Sequence, residues 1–255
     1  MSAIDNFVQV TGCNDYQLAE QLLRKHRLHL NDAIDDYYTN HLSQGSHNNA
    51  NLNVEALEAI FSQYADNSDN NIMDLDGTIA YFTDLGIDVE NDPQALVAAY
   101  ILESPSTGVF NRDKFIKNWG KVQPSIKSIS DMSEYLNSAL NDNILMKNVY
   151  KFAFKYALEE GQRKLATDDV VALWKCFYQN EFKNLEINGV ESTVTKFVND
   201  YIGGGNCRKT QISQDEWNMA YQFFQIPLNE LSQYEESSAW PVLMDEFVDF
   251  LLERE

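Results

Sequence analysis

Tyr234-Glu235-Glu236-Ser237-Ser238-Ala239-Trp240-Pro241-Val242-Leu243-Met244-Asp245-Glu246-Phe247 combines a helix start with an acidic and aromatic surface. Ser237 or Ser238 supplies a cap, and Pro241 falls in the first turn, where its missing N–H is no loss. Advancing about 100° per residue puts Leu243, Met244, Phe247, Val248, Phe250 and Leu251 on one face and gathers Asp245, Glu246 and Asp249 on the other. The spacing predicts an amphipathic helix with its carboxylates outward. Upstream, Ile212-Ser213-Gln214-Asp215-Glu216-Trp217 holds a second acidic helix start, in which Ser213 and Glu216 have capping-box spacing and Asp215 projects from the first turn. If the two helix starts adjoin, Asp215 and Asp245 flank Ala239.

Working outward, the composition supports helices throughout. The 255 residues contain five Pro and eleven Gly, and no Pro lies between Pro124 and Pro227. Leu, Ala, Glu, Lys and Asn are abundant, so an all-α fold is expected, in a chain long enough for a small domain joined to a larger one. No run approaches the roughly 18 apolar residues of a membrane span, and Met1-Ser2-Ala3-Ile4-Asp5 lacks the basic and apolar regions of a signal peptide. A soluble, intracellular protein is expected. Cys13, Cys176 and Cys207 are odd in number and widely separated, which indicates neither a disulfide framework nor a metal knuckle. A formal net charge of −20 repels nucleic-acid phosphates and steers the chain towards basic protein surfaces.

Phe7 to Tyr38 reads as three short helical segments carrying Phe7, Val8 and Val10, then Leu18, Ala19, Leu22 and Leu23, then Leu28, Leu30, Ala33, Ile34, Tyr37 and Tyr38. Turn signals at Thr11-Gly12-Cys13-Asn14 and Asn31-Asp32 separate them. This unit, residues 1–45, resembles a ubiquitin-associated domain, most of all in Leu30-Asn31-Asp32-Ala33-Ile34-Asp35-Asp36-Tyr37-Tyr38. The resemblance makes Val10, Thr11, Gly12 and Cys13 the candidate ubiquitin contacts, although such domains often carry Met-Gly-Phe/Tyr there. Ser43-Gln44-Gly45-Ser46-His47-Asn48-Asn49-Ala50-Asn51 is polar and nearly free of apolar anchors, so residues 46–52 read as a linker between independently moving domains.

From Asn53, a candidate cap, Leu57, Ile60, Phe61 and Tyr64 form a helical stripe. Ala65-Asp66-Asn67-Ser68-Asp69-Asn70-Asn71-Ile72-Met73-Asp74-Leu75-Asp76-Gly77 then alternates carboxylates and amides as an EF-hand loop does. Counted from Asp66, the twelfth position is Gly77 instead of the bidentate Glu that a calcium cage needs, so the loop reads as a degenerate EF-hand. Val109-Phe110-Asn111-Arg112-Asp113-Lys114-Phe115 and Gln211-Ile212-Ser213-Gln214-Asp215-Glu216-Trp217 each run from a short extended contact into a capped helix, as the second half of an EF-hand does. Further helices are expected at 129–140, 143–158, 167–179 with Thr167 as cap, and 191–201.

His26, His29, His41 and His47 all precede this larger domain, which leaves it without an imidazole. With only Cys176 and Cys207 there, a Cys–His pair, a zinc-loaded RING or a zinc hydrolase cannot be assembled within it. Gly203-Gly204-Gly205-Asn206-Cys207-Arg208-Lys209 lacks P-loop spacing and reads as a flexible connection, with Cys207 as a thiol whose neighbouring cations could lower its pKa. No cofactor is indicated, and a binding protein is favoured over an enzyme.

The segments around Asp215-Glu216-Trp217 and Ala239-Trp240-Pro241 through Asp245-Glu246-Phe247 resemble the C-terminal signature of the defective-in-cullin-neddylation family, whose potentiating-neddylation domain carries an Asp–Ala–Asp patch. Looser similarity runs through Tyr150-Lys151-Phe152-Ala153-Phe154, Glu160-Gly161-Gln162 and Leu173-Trp174 back towards residue 53. The resemblance implies a domain at 53–255 of two EF-hand-like units and a scaffold-type co-ligase with no catalytic residue of its own. It makes Asp215, Ala239 and Asp245 the cullin contacts, directed at the cullin's C-terminal winged-helix region. It also implies an apolar pocket for the acetylated N-terminus of the neddylation conjugating enzyme, lined by Ile79, Phe82, Ala98, Leu102, Val109, Phe110 and Tyr156. The implied partners are thus cullins, that conjugating enzyme and ubiquitin, for a monomer of cytoplasm and nucleus that binds neither nucleic acid nor membrane. Two alternatives stand beside it: a calcium-responsive adaptor using Asp66, Asp69, Asp74 and Asp76, and a ubiquitin receptor acting through residues 1–45.

Overall fold

The computed structural model describes residues 3–11, 16–26, 29–37, 42–233 and 240–253. Near the N-terminus, α1 (Ala3–Thr11), α2 (Tyr16–Lys25) and α3 (Leu30–Asp36) close over Phe7, Ala19, Leu22, Leu23 and Ala33. Each helix has one apolar face, and three such faces suffice to hide one another. Asp36 is nearly buried and ties α3 to the end of α2, accepting from Lys25 Nζ at 2.7 Å with His26 Nε2 at 2.5 Å. This is the small three-helix unit that the N-terminal pattern predicts.

The polar segment that composition marks as a linker is helical instead, because α4 runs unbroken from Leu42 to Tyr64. Asn, Ser and Gln each lower helix propensity by no more than about 0.7 kcal/mol relative to Ala, and no Pro interrupts them. A helix secured by the buried stripe from Leu57 onward therefore extends back through them. Asn53 is accordingly no cap. It sits inside α4, buried, and donates from Nδ2 to the Pro124 carbonyl at 2.5 Å.

After α4 come β1 (Ile72–Met73) and α5 (Leu75–Asp84), and the order repeats in α6 (Pro93–Ile101), β2 (Phe110–Asn111) and α7 (Arg112–Val122). The strands pair antiparallel, Ile72 opposite Asn111 and Met73 opposite Phe110, so two helix–strand–helix units share one small sheet. Leu57, Phe61, Met73, Tyr81, Phe110, Phe115 and Trp119 fill the space between them. This is the EF-hand-like pairing that the sequence suggests, without a calcium cage. Asp66 accepts from the Ser68 backbone and hydroxyl, Asp69 from the Asn71 N–H and Asp74 from the Gly77 N–H. At Gly77 a Cβ would stand 2.0 Å from the Tyr64 carbonyl oxygen, so the twelfth loop position has no room for a liganding Glu. Among the described residues, no group of three or more His, Cys, Asp or Glu is arranged to hold a metal ion.

The second half follows the same scheme. It comprises α8 (Ile129–Ala139), α9 (Asn143–Ala157), β3 (Lys164–Ala166), α10 (Thr167–Phe177), α11 (Gln179–Asn188) and α12 (Thr193–Lys196), which continues into a π-helical turn at Phe197–Ile202. Then come β4 (Gln211–Ser213), α13 (Gln214–Phe223), a 3₁₀ turn at Leu228–Gln233 and α14 (Val242–Leu252). β3 and β4 pair antiparallel through Leu165 opposite Ile212. Thr167 is the first helical residue of α10 and not its cap; its hydroxyl donates to the Lys209 carbonyl at 2.8 Å. No described helix is long and apolar enough to cross a membrane.

Candidate functional site

The two acidic helix starts are built on aromatic anchors. In α13 the order is Asp215-Glu216-Trp217 and in α14 it is Asp245-Glu246-Phe247, with Trp217 and Phe247 fully buried. Trp217 stacks on Tyr150 of α9 at 4.0 Å and on Trp174 of α10 at 5.8 Å. Its indole N–H donates to the Tyr150 carbonyl at 2.9 Å. The Tyr150 hydroxyl donates to the Trp217 carbonyl at 3.0 Å and accepts from the Trp174 indole at 2.8 Å. Each polar atom in this buried stack is therefore matched, as a low-dielectric interior demands. The stack fixes both the height and the rotation of α13.

Hydrogen bonding completes that helix start. Ser213 is the N-cap, its hydroxyl accepting from the Glu216 N–H at 3.3 Å, while the Glu216 carboxylate accepts from the Ser213 N–H and hydroxyl, each at 2.8 Å. The other Glu216 oxygen receives Lys209 Nζ, from the end of the Gly203–Lys209 connection. Burial works to raise the Glu216 pKa, but the bonds from Lys209 and Ser213 outweigh it and hold the carboxyl below the ordinary Glu range. With Glu216 turned in, Asp215 is exposed at the first turn, where a carboxylate also complements the helix dipole.

α14 begins later than its sequence suggests. Pro241 takes the N-cap place, and the candidate caps Ser237 and Ser238 lie outside the described residues. Leu243, Met244, Phe247, Val248 and Phe250 are buried, as the stripe predicts. Asp245 stands half-exposed in the first turn, and Glu246 accepts from the Tyr201 hydroxyl at 3.2 Å. Phe223 meets both Trp240, at 5.6 Å, and Phe247, at 6.0 Å, so the structure brings α13 and α14 into contact. That contact lies at the far end of α13 from Asp215, about 12 Å along the axis at 1.5 Å per residue. Ala239 lies outside the described residues. Beside Glu246, a cleft of about 290 Å³ is lined by Tyr201, Asn206, Arg208, Asp249, Phe250 and Glu253. Cys207, half-buried near it, is pushed up in pKa mainly by burial, against the lowering that Lys209 exerts.

The second group of candidates is carried by α5, α6, β2 and α9. Phe82, Ala98, Leu102 and Phe110 are core residues, with Phe82 and Phe110 edge to face at 6.0 Å. Val109 and Tyr156 are half-buried and meet through Ser104, whose hydroxyl lies 2.7 Å from the Val109 carbonyl and 2.9 Å from the Tyr156 hydroxyl. Ile79 is exposed, and so is Leu75, one turn earlier on α5 and packed under Gly108. Leu75 escaped the sequence reading, though an apolar pair four apart in an acidic chain was a visible signal. Of the four candidate ubiquitin contacts, Val10 is exposed at the end of α1 and the Thr11 hydroxyl donates back to the Phe7 carbonyl at 2.7 Å. Gly12 and Cys13 lie outside the described residues.

Residues 128–250 match a family model described as cullin binding, and residues 1–44 match one described as a UBA-like domain. The chain is 32% identical over 212 residues to Defective in cullin neddylation protein 1 of Yarrowia lipolytica, covering 81% of this chain and 82% of that protein. It is 31% identical over 290 residues to the Candida albicans protein of the same name, covering 96% and 95% of the two chains. For the Saccharomyces cerevisiae protein of that name the identity is 28% over 273 residues, covering 99% and 94%.

Proposed function

Because this chain belongs to the defective-in-cullin-neddylation family, we propose that it acts as a non-catalytic scaffold that holds a cullin beside the charged conjugating enzyme. Its role lies in cullin neddylation, and its C-terminal half carries a cullin-binding domain. The observation that carries the scaffold reading is the exposed Asp215 on a helix start locked by Trp217 and Glu216, within the cullin-binding match. In this reading Asp215 and Asp245 accept charge-assisted hydrogen bonds from basic side chains of the cullin's C-terminal region, and small Ala239 permits close approach. The acceptor lysine then reaches the thioester of the ubiquitin-like modifier, an isopeptide bond forms and the conjugating enzyme's thiolate leaves. Every reacting atom belongs to the partners, and this chain contributes proximity and orientation. The surface around Ile79, Val109 and Tyr156, over the core residues Phe82, Ala98, Leu102 and Phe110, receives the conjugating enzyme's acetylated N-terminus.

Single-turnover transfer of the modifier from its charged conjugating enzyme to a cullin tests the reading. Wild-type protein is expected to accelerate transfer and the folded Asp215→Ala/Ala239→Arg/Asp245→Ala variant to leave it at the background rate. Truncating one side of a desolvated charge pair costs about 2–5 kcal/mol, so Asp215→Ala alone should weaken cullin binding by roughly 30-fold or more. Unchanged affinity in that variant would sink the role given to Asp215. Acetylated and free N-terminal peptides of the conjugating enzyme are expected to differ in affinity, and equal binding would remove the acetyl pocket.

A further inference from the structure

We propose that Lys209 and Glu216 form a latch that positions Asp215, and that cullin affinity depends on this latch through Asp215. The inference rests on the reading of Asp215 as a cullin contact. First turns fray most readily, because their N–H groups have no partner within the helix. The α13 start is held on three sides. Trp217 is stacked in the core, Ser213 and Glu216 close the capping box, and Lys209 occupies the Glu216 oxygen that the box leaves over. Glu216 is only 7% exposed, so losing one of these partners leaves a largely buried carboxylate short of a hydrogen bond. Lys209 is itself anchored: Thr167, at the start of α10, donates its hydroxyl to the Lys209 carbonyl at 2.8 Å and its N–H to the Thr210 carbonyl at 3.0 Å. The latch therefore ties the first turn of α13 to the first turn of α10.

One consequence follows for Asp215. Successive helical residues point about 100° apart, so drawing Glu216 inward turns Asp215 outward and holds it there before a partner arrives.

The test is a double-mutant cycle on the full chain, with titration of a cullin C-terminal region as readout. Glu216→Gln keeps the capping box, which Gln also closes, and removes the charge facing Lys209. It is expected to bind the cullin about tenfold more weakly than wild type. Lys209→Arg should retain near-wild-type affinity, and Lys209→Met should lose it to a similar degree as Glu216→Gln. In the Asp215→Ala background, adding Glu216→Gln should cause no further loss, because the latch acts through the side chain already removed. A merely structural role would carry its full loss into that background. Wild-type affinity in both Glu216→Gln and Lys209→Met, or a loss that adds in full to that of Asp215→Ala, overturns the latch. Should Glu216→Gln fail to fold, Lys209→Met with the capping box intact completes the same cycle. Wild-type affinity in Asp215→Ala alone overturns the scaffold reading of that residue and the latch with it, whereas its loss beside intact binding in both Glu216→Gln and Lys209→Met overturns the latch only.

Discussion

Glu216 shows how one side chain couples local and tertiary structure. Its carboxyl lies below the ordinary Glu range in the folded protein, so the folded state holds the ionised form more firmly than the unfolded chain does. The resulting stability is fully present above the ordinary Glu range and is lost as pH falls through the lower folded value. Urea unfolding of wild type and Glu216→Gln should therefore show the variant less stable near neutral pH and the difference shrinking at about pH 3. A constant difference at both pH values would mean that the charge of Glu216 contributes nothing. The Ser213–Glu216 box was legible because its partners are three residues apart in sequence. Lys209 was not, since the turn into β4 brings it back to Glu216 and no local rule reports that return. Asn53 and Thr167 misled for the same reason: their cap-like chemistry serves the distant carbonyls of Pro124 and Lys209.

At the scale of elements, the degenerate loop explains itself through Gly77. Position twelve of an EF-hand asks for a long carboxylate, yet here the chain passes so close to the Tyr64 carbonyl that even a Cβ would collide with backbone. Gly77→Ala should destabilise the protein by about 1–3 kcal/mol through overpacking, read as a lower denaturant midpoint at unchanged slope. A neutral substitution would show that α4 and α5 can separate without loss. Trp217 predicts a larger effect, because truncation to Ala removes the ring between Tyr150 and Trp174 and the indole hydrogen bond to the Tyr150 carbonyl. About 3–5 kcal/mol is expected, measured by the same unfolding experiment. The apolar stripes of α4, α10 and α14 were readable because burial imposes the helical period on them. The segment ahead of Asn53 was not, because a polar stretch without Pro is compatible with coil and with helix alike, and the neighbouring turns decide.

For the whole molecule, a net charge of −20 raises the question of whether cullin binding is specific or only a general attraction to basic proteins. Residues 1–45 carry a separate apolar cluster, and the proposed cullin and conjugating-enzyme contacts all lie beyond residue 53. A protein of residues 53–255 should therefore accelerate single-turnover transfer as the full chain does; lost acceleration would transfer the activity to the ubiquitin-associated-like unit. Salt then separates specific from diffuse attraction. Long-range steering is screened within a Debye length of about 8 Å at physiological ionic strength, whereas a desolvated carboxylate–cation contact is screened much less. Raising salt should slow association of wild type and of Asp215→Ala/Asp245→Ala in parallel, since the two share nearly the same overall field. Their dissociation rates should differ at every salt concentration, the variant leaving faster because its direct contacts are gone. Stopped-flow binding across a salt series measures both rates. If the variant and wild type dissociate alike and differ only in association, the two aspartates belong to the diffuse field and mark no docking site.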